Sequence, residues 1–146
     1  MTRIMSDPSS YFSRMLRGEL APPPVFGLLG GSIRQVDTQG GTLEVEYTAT
    51  PAFLNPAGTV QGGMLCAMLD DLCAAVVDAT LHAGEGVATL SLNTSFIRPA
   101  QPGALLGRSR IVRRGRDVCF VQGVLLQQDQ EVANASAVCK LIPPRT

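Results

Sequence analysis

Short stretches of alternating apolar and polar residues form the first pattern along the chain. Residues 33–38 and 42–50 flank the turn-forming triplet Gln39-Gly40-Gly41, which is typical of a β-hairpin. Three or four further strands are predicted where similar stretches follow between turn residues, in 87–97, 105–112, 118–126 and 132–142. The second half of the chain is therefore predicted to be a run of antiparallel strands.

Two of these strands have patterns that assign a face. In 87–97, three apolar side chains alternate with polar ones, and we expect them to share one face: Leu90, Leu92 and Phe96. In 132–142, one face has only small side chains: Ala133, Ala135, Ala137 and Cys139. A face of small side chains predicts the close approach of another element, for which a central helix is the obvious candidate.

The second pattern is one segment, 64–81, that is apolar almost all the way round. A helix that is hydrophobic on all sides is typically buried. Only Asp70, Asp71 and Asp78 interrupt this character, and Gly62-Gly63 precedes the segment. We therefore expect one central, buried helix.

The N-terminal segment has helix and connector signals. Ser6-Asp7-Pro8 is typical of a helix start, and a short amphipathic helix is expected up to Gly18. Pro22-Pro23-Pro24 then predicts an extended connector.

Together these elements predict an α+β fold, in which an antiparallel sheet wraps around one central apolar helix. A chain of 146 residues fits one domain, with the N-terminal helix and connector at about 6–28 and the core at about 32–142. Such a sheet leaves edges exposed, so we expect a homodimer or a dimer of dimers.

Composition narrows the classes of partner. The formal net charge of zero argues against a protein that binds nucleic acid through broad phosphate attraction. No apolar run is as long as a membrane span, and the N-terminus lacks the apolar core of a signal peptide, so a cytoplasmic location is expected. The four cysteines show no metal-type pairing, and neither a metal nor a cofactor is expected.

Candidate chemistry gathers around the central helix. Gly62 and Gly63 leave backbone N–H groups free at the positive end of the helix dipole, where they suit a carbonyl oxygen that gains negative charge. Asp70, among small apolar residues, is a candidate catalytic carboxylate. It lies eight residues beyond Gly62, about 12 Å along the axis, so one substrate carbonyl could not touch both within a single chain. Two antiparallel helices across a two-fold axis would bring them together.

The segment 55–63, together with Asp70, resembles the signature of hotdog-fold thioesterases, and most of all the phenylacetate-pathway subfamily. Asn55, Gly58, Gly62-Gly63 and Asp70 occupy the family's positions, while Gln61 stands where the family has histidine. The strand that ends in 96–100 and the basic hairpin at 113–116 are similar to family features as well. The resemblance covers about residues 33–141.

This resemblance implies hydrolysis of acyl-CoA thioesters by a shared dimer site. Asp70 would act as general base or as nucleophile, and Thr89 would orient the attacking water. Asn55 and Gln61 would hold the loop and the thioester; a glutamine amide donates a hydrogen bond as histidine does but cannot titrate near neutral pH. Coenzyme A would be part of the substrate.

The remaining charged residues have simpler interpretations. Arg113, Arg114 and Arg116 are either solvated or a site for a coenzyme A phosphate, since guanidinium groups bind phosphate bidentately. Asp71 points about 100° away from Asp70 and is expected at the solvent or at an interface. His82, the only histidine, is expected at the surface.

Two other functions fit the same fold. An acyl-thioester hydratase or dehydratase would need a histidine near the carboxylate, and the sequence offers none near Asp70. A non-catalytic acyl-CoA-binding module is the other alternative, with Asp70 as a structural residue. Hydrolysis of a thioester is the leading prediction.

Overall fold

The predicted sheet and central helix are both present in the computed structural model, which describes residues 3–4 and 7–146. Among these residues seven strands form one sheet in the order β1-β2-β3-β5-β6-β7-β4. The strands are β1 Arg3–Ile4, β2 Ser32–Asp37, β3 Thr42–Ala49, β4 Gly86–Phe96, β5 Gly103–Arg114, β6 Val118–Gln127 and β7 Gln130–Ile142. All pairings are antiparallel except that of β1 with β2, a short parallel strand that the sequence pattern did not predict.

The central helix, α3, runs over Gly62–Asp78. Its buried face packs on the sheet, and the buried residues are Leu65, Met68, Leu69, Leu72, Cys73, Val76 and Val77. The sheet admits the helix closely: a Cβ on Gly123 would lie 2.9 Å from the sulfur of Cys73. The predicted small face of β7 is confirmed, since its three alanines and Cys139 are all buried.

The expectation that α3 is buried on all sides is wrong for the single chain. Ala67 and Ala74, on the face turned away from the sheet, are half-buried, and Asp70 is exposed. A sheet on one side can cover only one face of a helix, so the other face is left for a different covering element. This open face contains the candidate carboxylate.

The N-terminal segment differs from its prediction in two ways. Helix α1 runs over Tyr11–Leu16 and is capped by Ser10, whose side chain accepts from the N–H of Ser13. The helix therefore does not start at Ser6-Asp7-Pro8 as predicted: Ser6 lies outside the described residues, and the Asp7 carboxylate accepts from the backbone N–H of Ala83 at 2.9 Å.

The proline connector is not extended throughout, because Pro24 begins a second short helix, α2, over Pro24–Leu28. Proline breaks a helix in its interior but is favoured in the first turn, where its missing N–H has no intrahelical partner to lose.

Candidate functional site

The N-terminal end of α3 exposes unpaired backbone donors. Gln61 is the N-cap residue and forms no side-chain cap. The N–H groups of Gly62 and Gly63 are the first of the helix, and such groups have no acceptor within it. A Cβ on Gly62 would lie 3.1 Å from the ring of Phe96, whereas one on Gly63 would meet open space. Gly62 therefore allows close packing against β4, and Gly63 leaves the helix end open.

The loop before this helix is held by Asn55. Its Oδ1 accepts from the N–H groups of Ala57 and Thr59 at 3.0 and 3.1 Å, and its Nδ2 donates to the Thr59 hydroxyl at 2.9 Å. The backbone N–H of Gln61 donates to the carbonyl of Phe53 at 2.8 Å. Asn55 thus fixes the loop from within, and Gln61 leaves its side chain exposed beside the helix end.

Asp70 and Thr89 form the central contact of the candidate site. The Thr89 hydroxyl donates to Oδ1 of Asp70 at 2.7 Å. The surroundings of Asp70 differ from the apolar ones expected from its neighbours in sequence, because it lies on the open face of α3 and is exposed. The contact orients a carboxylate that can still meet water or a ligand.

A β-bulge at Leu90 directs Thr89 towards Asp70. Thr89 pairs with Cys139 and Ser91 pairs with Val138, so Leu90 is an extra residue in β4. The bulge interrupts the alternation that was expected to place Leu90 on one face with Leu92 and Phe96, and Leu90 is 58% exposed. Without the extra residue, simple alternation would place Thr89 on the outer face of the sheet with Ser91.

Asp71 was expected at the solvent or at an interface, and in the single chain it is held by a hydrogen bond from Tyr47. Its Oδ2 accepts from the Tyr47 hydroxyl at 2.6 Å, in a partly buried setting. Burial raises the pKa of Asp71, the nearby charge of Asp70 raises it further, and the hydrogen bond from Tyr47 lowers it. The two adjacent carboxylates therefore have different environments, and Asp70 is the accessible one.

The other candidate groups do not join this site. Cys73, Cys119 and Cys139 are buried free thiols, and burial raises the pKa of Cys73 to about 12, so none is a ready nucleophile. His82 lies at the surface, as expected, with its side chain 71% exposed and 3.5 Å from Asp7. Within 3–4 and 7–146 no cluster of His, Cys, Asp or Glu could hold a metal ion.

The three arginines of the β5–β6 hairpin lie in different places. Arg114 lies opposite the buried Cys119, and its guanidinium donates to the hydroxyl of Thr80 just beyond the end of α3. Arg113 lies opposite the exposed Phe120, on the outer face of the sheet, and Arg116 is exposed in the turn. The three arginines therefore do not form one cluster in a single protomer.

Two features of the site had no signal in the sequence pattern. The hydroxyl of Thr94 is buried on β4 without a hydrogen-bond partner in the described part of the chain. Asp78, to which the sequence pattern assigned no role, is half-buried beside a cavity. Both depend on segments that are far apart in sequence, so local spacing could not reveal them.

No described helix is long and apolar enough to cross a membrane.

Known proteins that are similar to this chain share its fold. The profile of the "Thioesterase superfamily" matches residues 57–134. A crystal structure from Ralstonia eutropha, described as a candidate thioesterase and phenylacetic acid degradation-related protein, is 60% identical and covers 90% of this chain and 99% of that one, with a TM-score of 0.89. The PaaI protein of the Escherichia coli phenylacetic acid degradation operon is 20% identical and covers 91% and 94% of the two chains, with a TM-score of 0.80, a likeness of fold.

A curated relative, the candidate esterase Rv1847 of Mycobacterium tuberculosis, is 30% identical over 91 residues. The match covers 60% of this chain and 64% of the relative, so it spans just under two thirds of the relative's length. The profile match, the similarity to the Ralstonia protein and the sheet wrapped on one helix all lead to the same assignment. The chain belongs to the hotdog-fold thioesterase superfamily, in its PaaI-like branch.

Proposed function

We propose that this protein hydrolyses acyl-CoA thioesters to the free acid and coenzyme A, as a homodimer with two shared sites. The observation that carries the proposal is the hydrogen bond of 2.7 Å from Thr89 to Asp70, which orients an exposed carboxylate on the open face of α3. An oriented, accessible carboxylate can act as a general base or as a nucleophile. The thioesterase family supplies the reaction class, and the acyl-CoA substrate is our proposal.

The proposed dimer rests on the distance between Gly62 and Asp70 within one protomer. Asp70 is eight residues beyond Gly62 on one helix, which separates them by about 12 Å along the axis. A thioester carbon attacked beside Asp70 could not have its oxygen at Gly62 of the same protomer. Gly62 of the partner subunit would be in reach if the two α3 helices ran antiparallel across a two-fold axis.

Strand β4 supports this arrangement, because it is at the end of the sheet and pairs with β7 on one side only among the described strands. Exposed apolar side chains lie on it and just beyond it: Leu90, Phe96 and Ile97. A long unpaired edge of this kind is a ready template for pairing with another strand. Pairing with the same strand of a second copy would set the open faces of the two helices side by side.

The reaction balances with these groups alone. As a general base, Asp70 takes a proton from water while the water oxygen attacks the thioester carbon. The oxygen of the carbonyl gains negative charge and accepts from the N–H of Gly62 of the partner subunit, at the positive end of its helix. The C–S bond then breaks, and the proton on Asp70 passes to the thiolate of coenzyme A.

Nucleophilic attack by Asp70 itself is the second route. The attack would form an anhydride between Asp70 and the acyl group and release coenzyme A. Water would then hydrolyse the anhydride and free Asp70. In both routes the partner subunit's Gln61, beside the helix end, would donate an amide N–H to the thioester without exchanging a proton. Arg114 and Arg116 would bind a phosphate of coenzyme A at the protein surface.

The test is release of free thiol from a panel of acyl-CoA thioesters by the wild type and by Asp70→Asn. We expect turnover to fall by at least about a hundredfold in Asp70→Asn, with the melting temperature retained, because the amide can neither accept the proton nor attack. Asp129→Asn, in the exposed β6–β7 turn where φ is 63°, is the matched control and should keep wild-type turnover. Wild-type rates in Asp70→Asn would contradict the proposal.

A further inference from the structure

A cavity of about 350 Å³ lies between the two N-terminal helices and α3. This is at the lower end of the range of roughly 300–1,000 Å³ that is typical of small-molecule pockets. Its walls are mostly apolar and come from α1, α2, β2, β3 and β4: Phe12, Met15, Phe26, Ile33, Val45 and Val87. Two carboxylates, Asp71 and Asp78, complete it from α3.

Asp78 is the polar group of this cavity that lacks a partner. Asp71 is bonded to Tyr47, and the hydroxyl of Tyr11 donates to the carbonyl of Ala21 at 3.0 Å. The Asp78 carboxylate accepts no hydrogen bond and forms no ion pair within the described chain, and burial raises its pKa to about 6. It is also the last residue of α3, where the negative end of the helix dipole disfavours a carboxylate. A donor placed in the cavity would supply the partner that this carboxylate lacks.

The cavity is adjacent to the Asp70–Thr89 contact on two elements. On α3, Ala74 lines the cavity and lies one turn beyond Asp70, on nearly the same side of the helix. On β4, Val87 lines the cavity two residues before Thr89, and alternation directs both to the helix side. The cavity therefore begins within one helical turn of Asp70 and within two residues of Thr89.

We propose that this cavity receives the acyl group of the thioester, and that Asp78 selects acyl groups with a hydrogen-bond donor, a hydroxyl or an ammonium, at the distal end. The inference rests on the proposed function and adds the class of substrate. Asp78 lies eight residues beyond Asp70, about 12 Å along the axis, which suits an acyl group of medium length. No lysine, arginine or histidine lines the cavity as far as the chain is described, so a distal carboxylate would find no cation there.

The experiment compares kcat/KM for octanoyl-CoA, its ω-hydroxy derivative and its ω-amino derivative, with acetyl-CoA as a substrate too short to reach Asp78. The wild type should prefer at least one ω-substituted substrate to octanoyl-CoA by between about ten- and a hundredfold, the size expected for a hydrogen bond to a charged group. Asp78→Leu should abolish or reverse that ratio. Asp78→Asn should keep a preference for the hydroxyl and lose one for the ammonium, which separates the two donors.

The ratio is insensitive to a general loss of active protein, and Asp129→Asn should leave it at the wild-type value. Equal kcat/KM for all three octanoyl substrates in the wild type would overturn this inference while leaving the proposed function standing. A preference that survives in Asp78→Leu would overturn it as well. Failure of the wild type to release thiol from any of the four substrates would instead overturn the proposed function, and this inference with it.

Discussion

The contact between Thr89 and Asp70 makes a prediction at the scale of single residues. Thr89→Val keeps the shape of the side chain but removes the hydroxyl that donates to Asp70 at 2.7 Å. We expect kcat to fall by about ten- to a hundredfold, because the carboxylate loses its orientation. Thr89→Ser restores the donor and should recover most of the rate. Wild-type kcat in Thr89→Val would show that the hydroxyl does not position Asp70.

Asp78 makes a second prediction, on stability. The ordinary pKa of an aspartate is 3.8, and burial raises that of Asp78 in the folded protein to about 6. The folded protein therefore binds the carboxyl proton of Asp78 more tightly than the unfolded chain does. The charged carboxylate therefore lowers the free energy of unfolding. This destabilisation is absent below about pH 4, grows between about pH 4 and 6, and is complete above about pH 6. The full effect is up to about 3 kcal/mol.

Urea unfolding of the wild type and of Asp78→Asn, at one protein concentration, checks this. The free energy of unfolding of the variant should exceed that of the wild type by a margin that grows between pH 4 and pH 7. The other titratable groups facing Asp78, which are Asp71 on α3 and Tyr11 on α1, are unchanged in both proteins. A variant that is less stable than the wild type at pH 7 would contradict the assignment of an unpartnered, charged Asp78.

At this scale the sequence predicted that Asp70 and Gly62 lie on one helix, because spacing along a helix is a local property. It did not predict the partners of Asp71 or the setting of Asp78. Tyr47 is on a different strand from Asp71, and the cavity beside Asp78 exists only because α1 and α2 pack over α3. Such contacts join segments that no local pattern relates.

At the scale of elements, periodicity predicted the hairpins and the long helix well. It missed the bulge at Leu90, because a bulge is a shift in register against β7 and depends on both strands. That single extra residue decides which face Thr89 occupies. Periodicity also missed α2, where a proline run suggested an extended chain although Pro24 occupies a first helical turn.

At the scale of the whole molecule, the single chain contains the parts of the proposed site but does not bring them together. The helix end at Gly62 and the carboxylate of Asp70 are about 12 Å apart along α3. Strand β4 leaves an edge open, and the face of α3 that contains Asp70 is uncovered by the sheet. A second copy of the chain would complete both.

This arrangement predicts complementation between two inactive variants. Asp70→Asn lacks the carboxylate, and Gly62→Pro lacks the N–H donor, whose loss should cost about a hundredfold or more in kcat. Proline is tolerated in the first helical turn, and Gly62→Ala, which keeps the N–H, is the control for its added bulk beside Phe96. In a mixed dimer one site has both substitutions and the other site has neither.

The decisive measurement is therefore thiol release by mixed dimers of Asp70→Asn and Gly62→Pro protomers. The two variants carry different tags, and they are unfolded together in equal amounts and then refolded. Random pairing makes half of the dimers mixed and half of their sites intact, so the account predicts recovery of about a quarter of wild-type activity. Each variant refolded alone should stay inactive. Purified mixed dimers that release no more thiol than the two parents would contradict a site shared between protomers.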